Sequence, residues 1–119
     1  MSEIKKYKYF CHIHTKKSFH LDFGDSWREY IYNNLLVSNQ IVSEILTEFE
    51  NNEKLWIIFP IPYYKVLSIY GKNFYDANIK YMNFIIKKIR PKTCILQNYF
   101  DFAEGTMLWA KINAVYQIF

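Results

Sequence analysis

The chain has 119 residues, of which 51% are hydrophobic and 20% aromatic, and it contains only three Gly and three Pro. This length and composition predict one folded domain over residues 1–119 and exclude an intrinsically disordered chain. The net charge of +4 hides a division along the sequence, because residues 21–53 carry −6 and the remainder carries +10.

The sequence predicts a cytoplasmic protein with no membrane partner. Its first residues, MSEIKKYKYF, lack the apolar run of a signal peptide. The longest uncharged apolar run, Leu55–Tyr64, contains two prolines and is too short to span a bilayer. Cys11 and Cys94 lie in apolar runs and are expected to be small buried hydrophobic residues, and one bridge between them is left open.

The first half of the chain is predicted to form two strands and a long helix. Residues 7–14 are rich in aromatic and β-favouring types, and residues 18–23 alternate apolar with polar side chains, so the two runs are expected to pair as a hairpin. Ser26 and Glu29 have the spacing of a capping box. They predict the start of one amphipathic helix that runs to about Phe49, because no Gly or Pro interrupts the apolar periodicity.

The middle of the chain is predicted to add a strand and a second main helix. Leu55–Phe59 (LWIIF) shows no alternation, which is typical of a central strand buried on both faces. Residues 63–70 fit either a short helix or a strand. Residues 74–89 have apolar side chains at helical spacing and end in lysines, which suit the C-terminal end of a helix.

Two further strands are predicted at the C-terminus, over Thr93–Phe102 and Thr106–Gln117, joined by a turn at residues 103–105. The predicted order is therefore ββαβ(α)αββ. This order defines an α+β fold in which a mostly antiparallel sheet of about five strands is covered by two main helices.

Three histidines, His12, His14 and His20, lie within nine residues and could form a metal site or an acid/base pair. His-x-His is also common on exposed strand faces, and no Cys or carboxylate elsewhere has matching ligand spacing. The sequence contains no Gly-rich phosphate loop, nucleophile elbow or zinc-finger spacing. We therefore expect no catalytic residue, no metal and no cofactor, and we predict that the protein is not an enzyme.

Basic residues are interleaved with aromatic residues in two places, at residues 5–9 and again from Tyr81 to Lys92. Lysines and arginines beside stacking aromatics are typical of single-strand nucleic-acid binding. A solvated lysine face explains the same pattern. A nucleic-acid-binding or nucleic-acid-mimicking small regulator, such as a phage-encoded inhibitor, is therefore the alternative interpretation.

The acidic segment is the strongest functional signal, because Lys is absent from residues 21–53 of a lysine-rich chain. A solvated helix face explains why Glu is there, but it does not explain why Lys is missing. An acidic face favours rapid binding to a basic protein, and tyrosines at such a face serve as anchors. The predicted partner-binding residues are Asp25, Glu29, Tyr30, Tyr32, Glu44, Glu48, Glu50 and Glu53, with the far end of the helix favoured.

Residues 18–59 combine an aromatic-aliphatic strand ending in Phe23-Gly24, a helix ending near Phe49, an acidic turn and the hydrophobic run LWIIF. This stretch resembles a family of small bacterial proteins that look like immunity proteins of toxin systems, including contact-dependent growth inhibition. The resemblance implies a protein that binds a cognate toxin, such as a nuclease, and neutralises it by occluding its active site.

Overall fold

A computed structural model describes residues 6–15, 20–70, 76–89 and 103–116. The chain divides into two compact units. One is formed by Met1–Tyr63 with Ala103–Phe119, and the other by Tyr64–Phe102. The prediction of a single domain over residues 1–119 stays a prediction. The described elements of the first unit are β1 (Tyr9–His12), α1 (Gly24–Leu35), α2 (Asn39–Asn51), β2 (Ile57–Ile58), a 3-10 turn (Glu104–Thr106), β3 (Leu108–Lys111) and α5 (Ile112–Tyr116).

The sheet of the first unit has three antiparallel strands in the order β1-β3-β2. Tyr9 pairs with Lys111 on one side of β3, and Ile57 pairs with Ala110 on the other. The prediction of about five strands covered by two main helices is therefore wrong, since the described residues contain three strands and five short α-helices. Only the general class of the predicted fold, a mixed α+β fold, is confirmed.

The core of the first unit lies where α1 meets the chain entering β3. Ile31, Leu35 and Met107 are buried together, with Trp27, Tyr30, Tyr32 and Trp109 packed around them. The indole N–H of Trp109 donates to the carbonyl of Leu35 at 3.0 Å, which satisfies an acceptor at the end of α1 that has no partner within the helix. A second contact joins α2 to the sheet, because the rings of Phe49 and Tyr9 stack with centroids 5.1 Å apart.

The long helix predicted from Ser26 to Phe49 is two helices, α1 and α2. The break falls at Ser38, whose backbone is extended and whose hydroxyl accepts a hydrogen bond from the Ile41 amide at 3.2 Å. A serine cap therefore begins α2 without any Gly or Pro, which is why the apolar periodicity alone missed the break. The predicted capping box is also wrong, since α1 begins at Gly24 and no side chain caps it.

The hydrophobic run LWIIF forms an edge strand and not the predicted central one. Only Ile57 and Ile58 pair, and Ile57 is 45% exposed. The sequence of a short apolar run does not distinguish a strand at the centre of a sheet from one at its edge. The central position belongs to β3, whose Ala110 is buried between both neighbours.

The remaining predicted elements of the first unit have mixed outcomes. The strand predicted at residues 7–14 is confirmed as the shorter β1, whereas the described part of the predicted strand at 18–23 is a turn. The strand predicted at Thr93–Phe102 lies outside the described residues. The one predicted at Thr106–Gln117 contains β3 but turns into helix α5 at Ile112.

Two helices are described in the second unit, α3 (Tyr64–Tyr70) and α4 (Asp76–Ile89). The ambiguity at residues 63–70 is thus resolved as a helix, and the helix predicted at 74–89 is confirmed as α4. Across the described parts of both units, no helix has the length and apolar character needed to cross a bilayer.

The observed helix break makes a prediction about Ser38. We expect Ser38→Ala to lower the free energy of unfolding by about 1 kcal/mol, because the cap of α2 is lost. Ser26→Ala is the matched control and should change it by less than about 0.5 kcal/mol, since Ser26 is exposed inside α1. Urea denaturation measures both. An equal loss in the two variants would mean that α1 and α2 are capped in some other way.

Candidate functional site

A strained turn next to β3 forms the centre of the candidate site. Gly105 and Thr106 both adopt the left-handed backbone region, with φ values of 64° and 57°. Glycine adopts this region freely, but a β-branched threonine does so at a cost of about 1–3 kcal/mol. The surrounding contacts therefore have to hold the turn in place.

Two of the predicted histidines provide that support. His14 Nε2 donates to the Gly105 carbonyl at 2.5 Å, and His12 Nδ1 donates to the Thr106 carbonyl at 2.7 Å. A carbonyl only accepts, so each of these ring nitrogens must carry a proton. The third histidine, His20, is exposed in a separate turn. Within the described ranges, no group of three His, Cys, Asp or Glu side chains could hold a metal ion.

Glu104, the first residue of the turn, is a buried carboxyl that is 6% exposed. Its Oε2 accepts a hydrogen bond from the Tyr63 amide at 3.1 Å. Burial raises the pKa of Glu104 above its ordinary value, and the nearby Tyr63 amide and Trp27 indole oppose that rise. Burial, followed by the charge of Glu104, likewise raises the pKa of Tyr30.

Beside the turn lies an inner pocket of about 50 Å³. Its lining consists of His14, Gly24, Trp27, Arg28, Ile31, Gly105 and Met107. Three buried polar atoms in this region, His14 Nδ1, Trp27 Nε1 and Glu104 Oε1, make no hydrogen bond to any described residue. Trp27 is thus close enough to lower the pKa of Glu104 but does not reach hydrogen-bonding geometry. A pocket of this size holds one or more waters or a small polar group.

Arg28 separates the inner pocket from a larger outer cleft and lines both. Its Nη1 donates to the Thr15 carbonyl at 3.1 Å, and its Nη2 donates to Asp25 Oδ1 at 3.2 Å. A guanidinium has five N–H donors in a fixed plane. These two hydrogen bonds therefore fix the plane of the guanidinium and leave donors for a ligand.

The outer cleft has a volume of about 480 Å³, which is in the range of small-molecule sites. Its lining residues come from α1 and the end of the segment after β1: Thr15, Asp25, Arg28, Glu29, Tyr32 and Asn33. The Tyr32 hydroxyl donates to the His14 carbonyl at 2.7 Å, which leaves its oxygen able to accept. The cleft therefore presents carboxylate, guanidinium, amide and phenol groups together.

The structure brings together three of the eight predicted partner-binding residues, because Asp25, Glu29 and Tyr32 line the outer cleft. Tyr30 lies on a different side of α1. Its hydroxyl donates to the Ile61 carbonyl at 3.0 Å, and its ring packs on Tyr63 with centroids 5.0 Å apart. Tyr30 is thus a packing residue with a partly buried ring.

The other four predicted residues lie on or just after α2. Glu44 accepts from the Gln40 amide at 2.9 Å, and Glu48 is exposed. Glu53 is also exposed, and its carbonyl accepts from Lys111 at 3.2 Å. The predicted set is therefore divided between two helices.

Glu50 is engaged within the protein. It accepts from the Tyr9 hydroxyl at 2.6 Å and from Lys8 at 3.4 Å. The hydrogen bond from Tyr9, followed by the charge of Lys8, lowers the pKa of Glu50. The same hydrogen bond raises the pKa of Tyr9.

Several residues of the site were not predicted. Arg28 is the one basic residue among residues 21–53, and its isolation there is a signal that it pairs locally. Glu104 falls in the turn predicted at residues 103–105, and its burial has no signature in the sequence. Asn33 and Thr15 are ordinary polar residues, which only the fold brings to one cleft.

Cys11 is partly buried, and burial raises the pKa of its thiol to about 11. The predicted burial of this residue is thus partial. Cys94, the other cysteine of the disulfide bridge that the sequence leaves open, lies outside the described residues.

These features define a small α+β protein in which a polar cleft adjoins a buried polar pocket. The family model described as RgpF, rhamnan synthesis protein F, matches residues 1–119, and the chain belongs to this family. No curated protein and no solved structure matches the chain.

Family membership corrects the predicted function. The resemblance to toxin-immunity proteins over residues 18–59 was wrong, because the whole chain matches a polysaccharide-synthesis family. The predicted cognate toxin partner and the contact-dependent growth inhibition context are wrong for the same reason. The alternative of a nucleic-acid-binding or nucleic-acid-mimicking regulator has no support from the family either. A helix–turn–strand pattern with an acidic helix is too general to identify a family.

The raised pKa of Glu104 predicts a dependence of stability on pH. The folded protein holds this proton more tightly than the unfolded chain, so stability falls as the pH rises from 4.5, the ordinary value, through the raised pKa. Glu104→Gln removes this loss and keeps an acceptor for the Tyr63 amide. We expect the variant to gain stability relative to the wild type as the pH is raised from 4 to 8.

Urea denaturation at several pH values measures this difference. Glu48→Gln, at an exposed position on α2, is the matched control for the loss of one carboxylate. An equal pH-dependent change in both variants would show that the burial of Glu104 is not its cause.

Proposed function

We propose that this chain takes part in rhamnan synthesis by binding sugar residues of the polysaccharide in the outer cleft. The observation that carries the proposal is the set of polar groups that α1 presents there, in a volume suited to a small ligand. Membership of the rhamnan synthesis family supplies the class of ligand.

The polar groups of the cleft suit the chemistry of a sugar. Every hydroxyl of a sugar can donate and accept, so it is best bound where acceptors and donors alternate. Asp25 and Glu29 provide acceptors, and Asn33 provides both a donor and an acceptor. The fixed guanidinium of Arg28 provides donors. A sugar in this cleft could therefore pair several hydroxyls at once.

The apolar parts of the cleft suit a deoxy sugar. Rhamnose, the unit of a rhamnan, carries a methyl group where glucose carries a hydroxymethyl group. The ring of Tyr32 and the methylenes of Arg28 offer apolar surface beside the polar groups. We expect the cleft to prefer rhamnose because its methyl group can pack on this apolar surface, whereas a hydroxymethyl group placed there would lose hydrogen bonds to water.

We propose a binding role for this cleft, without catalysis by its residues. Asp25 and Glu29 are four residues apart on α1, so they approach a ligand from the same side. Pairs of carboxylates that act on glycosidic bonds flank the bond instead. Asp25 also forms an ion pair with Arg28 and so helps to position the guanidinium.

Titration with a rhamnose trisaccharide, followed by NMR chemical shifts, tests this proposal. We expect saturable changes at the backbone amides of α1 around the cleft. Asn33→Ala and Glu29→Gln should each weaken binding by about three- to tenfold, since a typical net hydrogen bond contributes about 0.5–1.5 kcal/mol.

Glu44→Gln is the matched control for Glu29→Gln, because it removes one exposed carboxylate from α2 and should leave binding unchanged. A glucose trisaccharide should bind more weakly than the rhamnose compound. Saturable binding that is unchanged by both cleft substitutions would place the sugar elsewhere and overturn the proposal. The absence of any saturable chemical-shift change would also overturn it.

A further inference from the structure

Helix α4, in the second unit, exposes an unusual set of apolar side chains. Tyr81 is 67% exposed, Phe84 is 58% exposed and Ile85 is 54% exposed. Positions 81, 84, 85 and 88 recur at helical spacing and therefore share one face. Large apolar groups clustered on one face of a helix are typical of an interaction surface.

Lysines accompany this face. Lys80, Lys87 and Lys88 are all exposed, and no acidic residue occurs between Asp76 and the end of α4. The Lys88 ammonium lies 4.6 Å from the centre of the Phe84 ring. Its side chain therefore lies along the apolar face and holds a positive charge beside the ring, and long lysine side chains of this kind are typical of membrane interfaces.

We propose that this face of α4 binds the surface of an anionic lipid bilayer. Exposed aromatic and aliphatic side chains enter the boundary between headgroups and acyl chains, while lysines pair with the lipid phosphates. The helix lies in the interface and does not cross the bilayer, in keeping with its length of 14 residues. The proposal is independent of sugar binding, which uses residues of the first unit.

Charge and geometry favour lipid over other partners. A second copy of the chain would bring like charges face to face on this helix, which opposes association. Single-stranded nucleic acid would need free ring faces for stacking. The ammonium of Lys88 lies over the Phe84 ring, and Ile85 cannot stack on a base. An anionic lipid surface requires apolar groups that enter the acyl boundary and cations that pair with phosphates. The aliphatic and aromatic groups of this face meet the first requirement, and the flanking lysines meet the second.

Co-sedimentation of the full chain with vesicles tests the proposal. We expect binding to vesicles of phosphatidylglycerol and phosphatidylcholine in equal parts, and little binding to phosphatidylcholine alone. Lys87→Glu with Lys88→Glu should weaken partitioning at least about twentyfold, since each lysine near an anionic surface contributes about fivefold. Phe84→Ser with Ile85→Ser keeps the charge and should also weaken it at least about tenfold, because apolar insertion is lost.

Lys6→Glu with Lys54→Glu is the matched control, because it changes the net charge equally at exposed positions of the first unit. Circular dichroism confirms that each variant keeps its helices. Binding that falls equally in the control, or that survives Phe84→Ser with Ile85→Ser, would reduce the effect to general electrostatic attraction and overturn the proposal. The absence of phosphatidylglycerol-dependent binding would also overturn it, as would retention on a single-stranded oligonucleotide that is lost with the two α4 lysines.

Discussion

The hydrogen bonds from His12 and His14 to the turn at Glu104–Thr106 are the constraint on which the first unit depends. They hold two consecutive left-handed residues, Gly105 and Thr106, at the entrance to the central strand. The space around Gly105 is open enough for a side chain, with Met107 Cε 3.5 Å from where a Cβ would lie, so its backbone conformation is what favours glycine there. Because β3 pairs with both other strands, a turn that fixes where β3 begins also fixes the register of the sheet.

The same turn builds the candidate site. It buries Glu104 near Trp27, and it binds His14 through Nε2, which leaves His14 Nδ1 buried without a hydrogen bond to any described residue. Arg28 then links this buried pocket to the open cleft. The pocket is the smaller and more enclosed of the two, whereas the cleft is open to solvent and combines polar groups with apolar surface.

Features of the fold that neighbouring residues determine could be predicted from the sequence, whereas features that depend on distant parts of the chain could not. The strand β1 and the helix α4 were found because residue type and apolar spacing encode them locally. The break at Ser38 was missed because a capping hydrogen bond leaves no gap in the apolar pattern. The edge position of β2 and the burial of Glu104 depend on strand order and on a distant turn, which no local pattern contains. Of the residues that line the outer cleft, Asp25, Glu29 and Tyr32 were predicted from charge and residue type to contact a protein partner, but the cleft that joins them was not predicted.

The division of charge along the chain changes its meaning in three dimensions. The acidic segment and its basic surroundings contact each other, since Lys8 reaches Glu50 and Lys111 donates to the carbonyls of Asn52 and Glu53. Lys111 also lies 5.8 Å from the ring centres of Phe49 and Trp56. The far end of the predicted acidic face is thus partly neutralised by Lys8, which precedes β1, and by Lys111, which lies in the central strand β3. On α1, Asp25 and Glu29 line the outer cleft, and Asp25 pairs with Arg28, the one arginine of the segment. Linear charge counting indicated one flat acidic face for a basic protein, whereas the fold gathers only Asp25, Arg28 and Glu29 around the outer cleft.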